Sequence, residues 1–197
     1  MMDYGEILEY WFGDLKNDDY FPARKAKIWY RKDEKVDMYI RENFFEVWLK
    51  ACEGKLEHWH NDSRGILAAI IVLDQFSRHL FRDNAKAYAQ DKICVDLCLQ
   101  SLASAQQLFT LEKAFWYMPL QHSESLELQE KSVELYKTLV GNANEKIREQ
   151  VYGFYDYACA HRDVIKRFGR FPHRNAILQR ESTEAELKFL QRRGSMF

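Results

Sequence analysis

Apolar residues recur every three to four positions along most of this chain, which is the period of an amphipathic α-helix. The clearest stripe lies in residues 33–52, where Val36, Ile40, Phe44 and Val47 share one face. Similar stripes predict further helices over 3–12, from Pro22, over 64–81, 85–102, Thr110 to Pro119, 124–140 and 145–168, and from Thr183. No segment alternates with the two-residue period of a strand. The pattern therefore predicts an all-α protein of about 8–10 helices.

Capping residues mark the expected helix ends. Asp62 or Ser63, Asn84, Thr110 and Ser123 are suited to start helices, and Thr183 with Glu186 forms a capping-box pair. Gly54, Gly141 and Gly169 are suited to end them, and Pro119 is expected to halt the helix that precedes it. With only 8 Gly and 3 Pro, the connections must be short, which favours antiparallel helix pairs packed on one another.

Length and charge narrow the class of protein. The 197 residues suffice for one sizeable core, so residues 1–197 are predicted to form a single domain. A formal net charge of -1 argues against general nucleic-acid binding. The acidic start lacks the basic region of a signal peptide, and the longest apolar run, Ile66 to Leu73, is too short to span a bilayer. We expect a cytoplasmic protein without membrane contact, with Cys94, Cys98 and Cys159 reduced and largely inaccessible.

The helix over 64–81 is apolar on every side, which predicts a central helix buried all round. It runs directly into Asp74 and Arg78, which lie one turn apart and can pair. Charges at that depth must be paired, because an uncompensated buried charge costs several kcal/mol. The alternative is an ordinary surface ion pair on a helix end that emerges into water.

His122 and Glu124 follow Pro119 at a loop-to-helix junction, where free backbone N–H groups can hold an anion. The alternative is that both side chains solvate a turn. Their His-x-Glu spacing is that of the zinc deaminases, but the Pro-Cys-x-x-Cys partner is absent, so no metal site is predicted. No cofactor motif occurs either.

The most basic segment is 161–180, which carries six Lys/Arg against Asp163. It contains Phe168-Gly-Arg-Phe-Pro-His-Arg-Asn175, and Pro172 with Asn175 favours an ordered loop. His161 lies on the apolar face of the preceding helix and is either part of a polar site or a core histidine with one satisfied hydrogen bond. Such a cluster needs an anionic counterpart, which for Arg174 is expected to be Asp74 or Glu124.

We expect the Asp74–Arg78 turn, His122–Glu124 and His161 to lie close together as one site. The predicted binding residues are Asp74, Arg78, His122, Glu124, His161, Arg170, His173, Arg174 and Asn175.

These motifs resemble those of a bacterial family catalogued as domain of unknown function 924. The matching segments are Ile7–Gly13, Leu73–Arg82, Met118–Glu124, His161–Leu178 and Glu181–Thr183. The resemblance implies stacked antiparallel helix pairs in a tetratricopeptide-like, right-handed array, and it implies no activity. Ser77, His79 and Gln179 depart from the Pro, Asn and Gly expected of the family.

Three functions fit these residues. The first is a binding module in which Arg170, Arg174 and the histidines hold an anionic small molecule or an acidic peptide. The second is a structural lock in which Asp74, Glu124 and Asp163 neutralise the C-terminal arginines. The third is a hydrolase-type enzyme with His161 or His122 as general base and arginines that stabilise an oxyanion. We rank them in that order, since no nucleophile lies in a recognisable setting.

Overall fold

A computed structural model of the chain describes residues 3–30 and 32–192. Within them lie ten α-helical segments: α1 Tyr4–Phe12, α2 Ala26–Tyr30, α3 Glu34–Cys52, α4 Ser63–Ile70, α5 Ser77–Leu80, α6 Asp91–Gln100, α7 Thr110–Gln121, α8 Leu126–Asn142, α9 Arg148–Phe168 and α10 Glu184–Leu190. A π-helical turn, Ile71–Phe76, joins α4 to α5, so these three segments form one continuous helix. No strand occurs in this part of the chain, and the all-α prediction is confirmed.

The continuous helix from Ser63 to Leu80 is the centre of the fold. Every residue from Gly65 to Ser77 is buried, which is why its sequence is apolar on all sides. Helices α1, α3, α6 and α7 pack around it. Asp74 lies at its middle with 0 % exposure, so the alternative of a surface ion pair at an emerging helix end is wrong.

Helices α7, α8 and α9 follow one another in the chain and pack side by side. Each is joined to the next by a short connection, so consecutive helices run antiparallel. Packed helix pairs therefore make up this half of the molecule, whereas a tetratricopeptide-like repeat stays a prediction.

Several helices begin or end at residues other than the expected ones. Helix α7 runs past Pro119 to Gln121, because His122 N–H still donates to Met118 O (2.9 Å) and closes the last turn. Phe109, not Thr110, precedes the first turn of α7. Ser125, not Ser123, caps α8, and Gly141 lies inside that helix. Gly169 adopts the left-handed conformation (φ 69°) that ends α9, as expected.

The predicted helix over 85–102 is divided in two. A 3-10 turn, Ala85–Tyr88, is capped by Asn84, whose side chain accepts from Lys86 N–H. Helix α6 starts only at Asp91, so that the Asp91 side chain lies in a first helical turn instead of in mid-helix.

The cysteines are free thiols and two of them are inaccessible. Cys94 and Cys98 are fully buried on α6, as expected. Cys52 and Cys159 are partly buried and pack against the core, so Cys159 is more accessible than Cys94 and Cys98. Cys159 lies near the outer side of α9, beside Tyr155.

None of the described helices combines the length and the apolar character needed to cross a membrane.

Candidate functional site

The π-helical turn brings a carboxylate into the core. Such turns add one residue to the helical ladder and are frequent at functional sites. Here the turn is supported by Ser77, whose hydroxyl donates to Leu73 O (2.5 Å) and accepts from Trp48 Nε1 (2.8 Å). Asp74 lies within the turn and faces three side-chain partners.

Asp74 binds two groups through one oxygen. His122 Nδ1 lies 2.9 Å from Asp74 Oδ1, and Arg78 Nη1 lies 3.0 Å from the same atom. Gln75 Nε2 donates to Asp74 Oδ2 (2.6 Å). Burial favours the protonated acid, but the charge of Arg78 and the hydrogen bonds of His122 and Gln75 outweigh it and hold the pKa of Asp74 well below its usual range. An ionised Asp74 can only accept, so His122 donates from Nδ1.

A second carboxylate extends this network. Arg78 Nη2 donates to Asp91 Oδ1 (3.1 Å), and Arg174 Nη1 lies 3.3 Å from Asp91 Oδ2. Arg174 Nη2 donates to the backbone oxygen of His122 (3.0 Å). We call Asp74, Arg78, Asp91, His122, His161 and Arg174 the inner polar centre.

Arg174 is held between two aromatic rings. Its guanidinium carbon lies 4.5 Å from the ring centroids of both Tyr88 and Phe171, and the residue is only 6 % exposed. Its Nε is buried, and no described atom accepts a hydrogen bond from it. Burial and the neighbouring charge of Arg78 lower the pKa of Arg174, whereas Asp91 acts in the opposite direction.

Two histidines of the inner polar centre, and His173 beside it, add no charge at neutral pH. His161 Nδ1 donates to Tyr157 O (2.8 Å), and its ring centroid lies 6.2 Å from that of His122. Burial lowers the pKa of His122 and, more strongly, that of His161, and the charge of Arg174 adds to the effect on His161. Burial and Arg174 also lower the pKa of His173 to about 4. The two arginines and two aspartates of the inner polar centre therefore balance.

A separate set of pairs fastens the C-terminal segment. Arg180 binds Glu124 through two bonds (2.7 and 2.9 Å), and Phe171 N–H donates to Glu124 Oε1 (2.8 Å). Arg170 binds Glu186 through two bonds (2.7 and 2.8 Å). We call Glu124, Arg170, Arg180 and Glu186 the outer clamp. Both pairs have the fork geometry that gives the strongest arginine–carboxylate contacts.

Most residues that the sequence predicts as one site therefore lie close together, but they form two separate clusters. Asp74, Arg78, His122, His161 and Arg174 meet in the inner polar centre, and Glu124 and Arg170 lie in the outer clamp. His173 packs its ring against that of Phe171 (5.6 Å). Asn175 is buried, and its Nδ2 donates to Ser182 Oγ (3.0 Å).

Two expected charge pairings are wrong. Arg174 pairs with Asp91, because Asp74 is taken by Arg78 and His122 and Glu124 is taken by Arg180. Asp163 neutralises none of the loop arginines, since it is exposed and binds Arg162 on its own helix (2.7 Å).

Three members of these clusters do not stand out as site residues in the sequence, namely Asp91, Arg180 and Glu186, and neither does Tyr88, whose ring packs on Arg174. The sequence identifies Glu186 only as a capping residue, and its side chain does accept from Thr183 N–H (2.7 Å). Asp91 carries no motif of its own, and only its position at the start of α6 distinguishes it.

The three departures from the expected family residues each have a local consequence. Ser77 supports the π-helical turn. His79 donates from Nδ1 to Asp37 Oδ1 (2.7 Å), beside a two-bond pair between Arg82 and Asp37, so this departure changes a charged cluster. Gln179 has φ 55°, a left-handed conformation that glycine adopts without strain.

Within residues 3–30 and 32–192, no three His, Cys, Asp or Glu side chains converge to hold a metal ion. A cavity of about 300 Å³ lies elsewhere, between α3, α4 and α6. A second concave space, of about 290 Å³, is lined by Asp14, Lys16, Asp19 and Lys146 at the surface.

The fold and the site together define this protein as an all-helical one with buried arginine–carboxylate pairs. The family model described as "Bacterial protein of unknown function (DUF924)" matches residues 7–194, and the chain belongs to this family. It is similar to a solved structure, a protein of unknown function, ATU0120, from Agrobacterium tumefaciens. The two share 27 % sequence identity at a TM-score of 0.81, over 95 % of this chain and 96 % of that one. Comparison with curated proteins gives no match.

The outer clamp is expected to open in acid. Hydrogen bonds from Arg170 lower the pKa of Glu186 to about 2, against the opposing effect of burial. A depressed folded-state pKa gives stability that is complete above the unfolded value, about 4.3 for Glu, and is lost as the pH falls through the folded value. We expect NMR signals of Leu187 and Leu190 on α10 to change between about pH 4 and pH 2.

Glu186→Gln is the matched control for the clamp. It removes the titrating group, so the α10 signals should resemble the acid form already at neutral pH. An α10 that titrates equally in both proteins would show that another group controls its docking.

Proposed function

We propose that this protein is a binding module for a small anionic ligand, and that the inner polar centre receives the ligand. The observation that carries this proposal is Arg174 Nε, a buried donor that no described atom accepts. Buried donors are almost always paired, and an exception calls for a bound water, ion or ligand. Nε and Nη2 form one edge of a guanidinium, the edge that carboxylates and phosphates grip.

The electrostatics of Arg174 support the same ligand chemistry. The pKa values of Arg78 and Arg170 are raised by their carboxylate partners, whereas that of Arg174 is lowered by burial and by Arg78. Its one ion pair, with Asp91 at 3.3 Å, is longer than the 3.0 Å pair of Arg78 with Asp74 and the 2.7 Å pair of Arg170 with Glu186. A ligand oxygen at Nε would supply the acceptor that this donor lacks. Because Nε is buried, a small molecule suits it better than a peptide chain.

The outer clamp supplies a structural role beside the binding role. Arg170 and Arg180 each form two bonds with a carboxylate. Arg180 Nε is also a buried donor that no described atom accepts, but Glu124 already neutralises the charge of Arg180. The clamp contacts fix Phe171, whose ring forms one side of the Arg174 sandwich. In this proposal the clamp holds the loop in place, and Arg174 alone binds the anion.

Arg174→Ala is expected to abolish stabilisation by anions. In wild type, inorganic phosphate or succinate at 100 times its dissociation constant should add about 2.7 kcal/mol to the free energy of unfolding. The variant should lose this gain, measured by thermal melting with and without each anion. Without ligand it should also be less stable by about 1–3 kcal/mol, since its charged hydrogen bonds are lost. Each ligand effect is therefore compared with the variant's own baseline.

Arg167→Ala is the matched control. Arg167 belongs to the same basic segment and is exposed, outside both the inner polar centre and the outer clamp. It should leave the anion effect intact. An Arg174→Ala protein that gains as much stability from phosphate as wild type would refute the proposed site.

A second candidate function is a hydrolase, and one observation favours it. Asp74 orients His122 through Nδ1, as an acid orients the base in catalytic dyads, and the lowered pKa keeps His122 in its basic form at neutral pH. Nε2 would then accept a proton from a water that attacks a substrate near Arg174. The test is hydrolysis of p-nitrophenyl phosphate or p-nitrophenyl acetate. Activity in wild type that is lost in His122→Gln would support a hydrolase over simple binding.

A further inference from the structure

The cavity of about 300 Å³ lies apart from the inner polar centre. It is bounded by the last turn of α3, by the 3-10 turn Glu57–Asn61, and by α6, and the central helix closes its floor. Small-molecule sites start at about this size and are mostly apolar with a few polar groups at defined positions. Its chemistry can therefore indicate a ligand class.

The walls of the cavity are apolar. Leu56, Ala69 and Leu73 are buried, and Ile93, which is 47 % exposed, lies at the mouth. Ala51 and Ala69 are small side chains on facing helices, so the space between α3 and the central helix stays open. This floor suits an alkyl or aryl group.

The polar side chains that line the cavity are those of His60 and Gln100 and two carboxylates. Glu57 and Asp96 contribute carboxylates, and none of the described lining residues is Lys or Arg. The C-terminal end of α3 also lies at the cavity, through Ala51 and Cys52, and a helix C-terminus carries a partial negative charge. Lys92 pairs with Asp96 (2.7 Å), but its side chain is 85 % exposed, so a ligand cation can replace it at little cost.

We propose that this cavity binds a small apolar molecule that carries one ammonium group. The apolar part lies against Leu56, Ala69 and Leu73, and the ammonium lies between Glu57, Asp96 and the end of α3. This site is independent of the anion site proposed above, and it takes ligands of the opposite charge.

The alkylation rate of Cys52 can report whether the cavity is occupied. The Cys52 thiol lines the space, and burial raises its pKa to about 11, so its alkylation is slow at neutral pH. Alkylation at mildly alkaline pH still reports whether the cavity is filled. Cys159, half-buried on α9 and outside the cavity lining, is an internal control in the same molecule.

The test compares benzylamine, benzyl alcohol and benzoate, which share one ring and differ in charge. Peptide mass spectrometry follows the alkylation of Cys52 and Cys159 in each. Benzylamine should slow Cys52 at the lowest concentration, benzyl alcohol should be weaker, benzoate weakest, and Cys159 should not respond. No protection by any of the three, or benzylamine no better than benzyl alcohol or benzoate, overturns the proposal.

Charge removal at the mouth separates the ammonium contact from apolar filling. The double variant Glu57→Gln/Asp96→Asn should bind benzylamine about 2- to 30-fold more weakly, as expected for two exposed ion pairs, and should bind benzyl alcohol unchanged. Glu53→Gln changes a neighbouring exposed carboxylate outside the lining and should leave both affinities alone. Equal benzylamine affinity in the double variant and wild type would refute the ammonium contact.

Discussion

Asp74→Asn is expected to lower the free energy of unfolding by about 3–5 kcal/mol, the cost of breaking a buried ion pair by removing one partner. Asp74 is fully buried, and its Oδ1 holds both Arg78 and His122. Asparagine keeps the size but removes the charge, so Arg78 and Arg174 would share the single carboxylate of Asp91. Urea unfolding followed by tryptophan fluorescence gives the difference directly.

The chain offers a matched control for this prediction. Lys92 and Asp96 form another pair four residues apart, but their side chains are 85 % and 48 % exposed. Exposed pairs contribute about 0–1 kcal/mol, so Asp96→Asn should change stability by no more than that. Equal, small losses in both variants would mean that the inner polar centre rearranges around the introduced amide without cost, and the buried network would then not be a stability element.

Gly65→Ala is expected to destabilise the protein by about 1–3 kcal/mol, even though alanine is the better helix former. A Cβ at Gly65 would lie 2.2 Å from the backbone oxygen of Trp59, far closer than atoms can approach. That oxygen belongs to the 3-10 turn that precedes α4, so a backbone segment would have to shift. Asp62 also caps the helix here, with its side chain accepting from Gly65 N–H (3.2 Å). Thermal melting measures the loss.

Gly153→Ala supplies the comparison with opposite sign. Gly153 lies inside α9, is exposed, and a Cβ there would meet nothing within 4 Å. The change should therefore stabilise by about 0.5–1 kcal/mol, the intrinsic helix preference of alanine. If both alanine variants gained stability, the close approach of α4 to Trp59 would be wrong.

The helical class could be predicted because its signal is local. A stripe such as Ile40, Phe44 and Val47 repeats with the helical period, and the structure buries it as expected. Helix ends were less predictable, because a cap competes with its neighbours. Ser123 and Ser125 both have hydroxyls, and only the path of the chain after α7 makes Ser125 the cap of α8.

In the candidate site, too, contacts within one helix could be predicted and contacts between distant segments could not. The Asp74–Arg78 pair could be predicted, since residues four apart on a helix are neighbours in any fold. The partner of Arg174 could not, because Asp91 lies 83 residues away in sequence. A choice among Asp74, Asp91 and Glu124 depends on which carboxylates other arginines already occupy.

By itself, the sequence determined the helices, the burial of the central one, and the polar residues that interrupt it, because periodicity and i, i+4 spacing act within one element. Tertiary structure alone decided that these polar residues form two clusters, that Asp91 neutralises Arg174, and that a cavity remains beside Cys52. The physical reason is that ion pairing and cavity shape depend on how separate helices pack. A sequence with many arginines and carboxylates is compatible with many ion pairings, and helix packing decides which of them become buried.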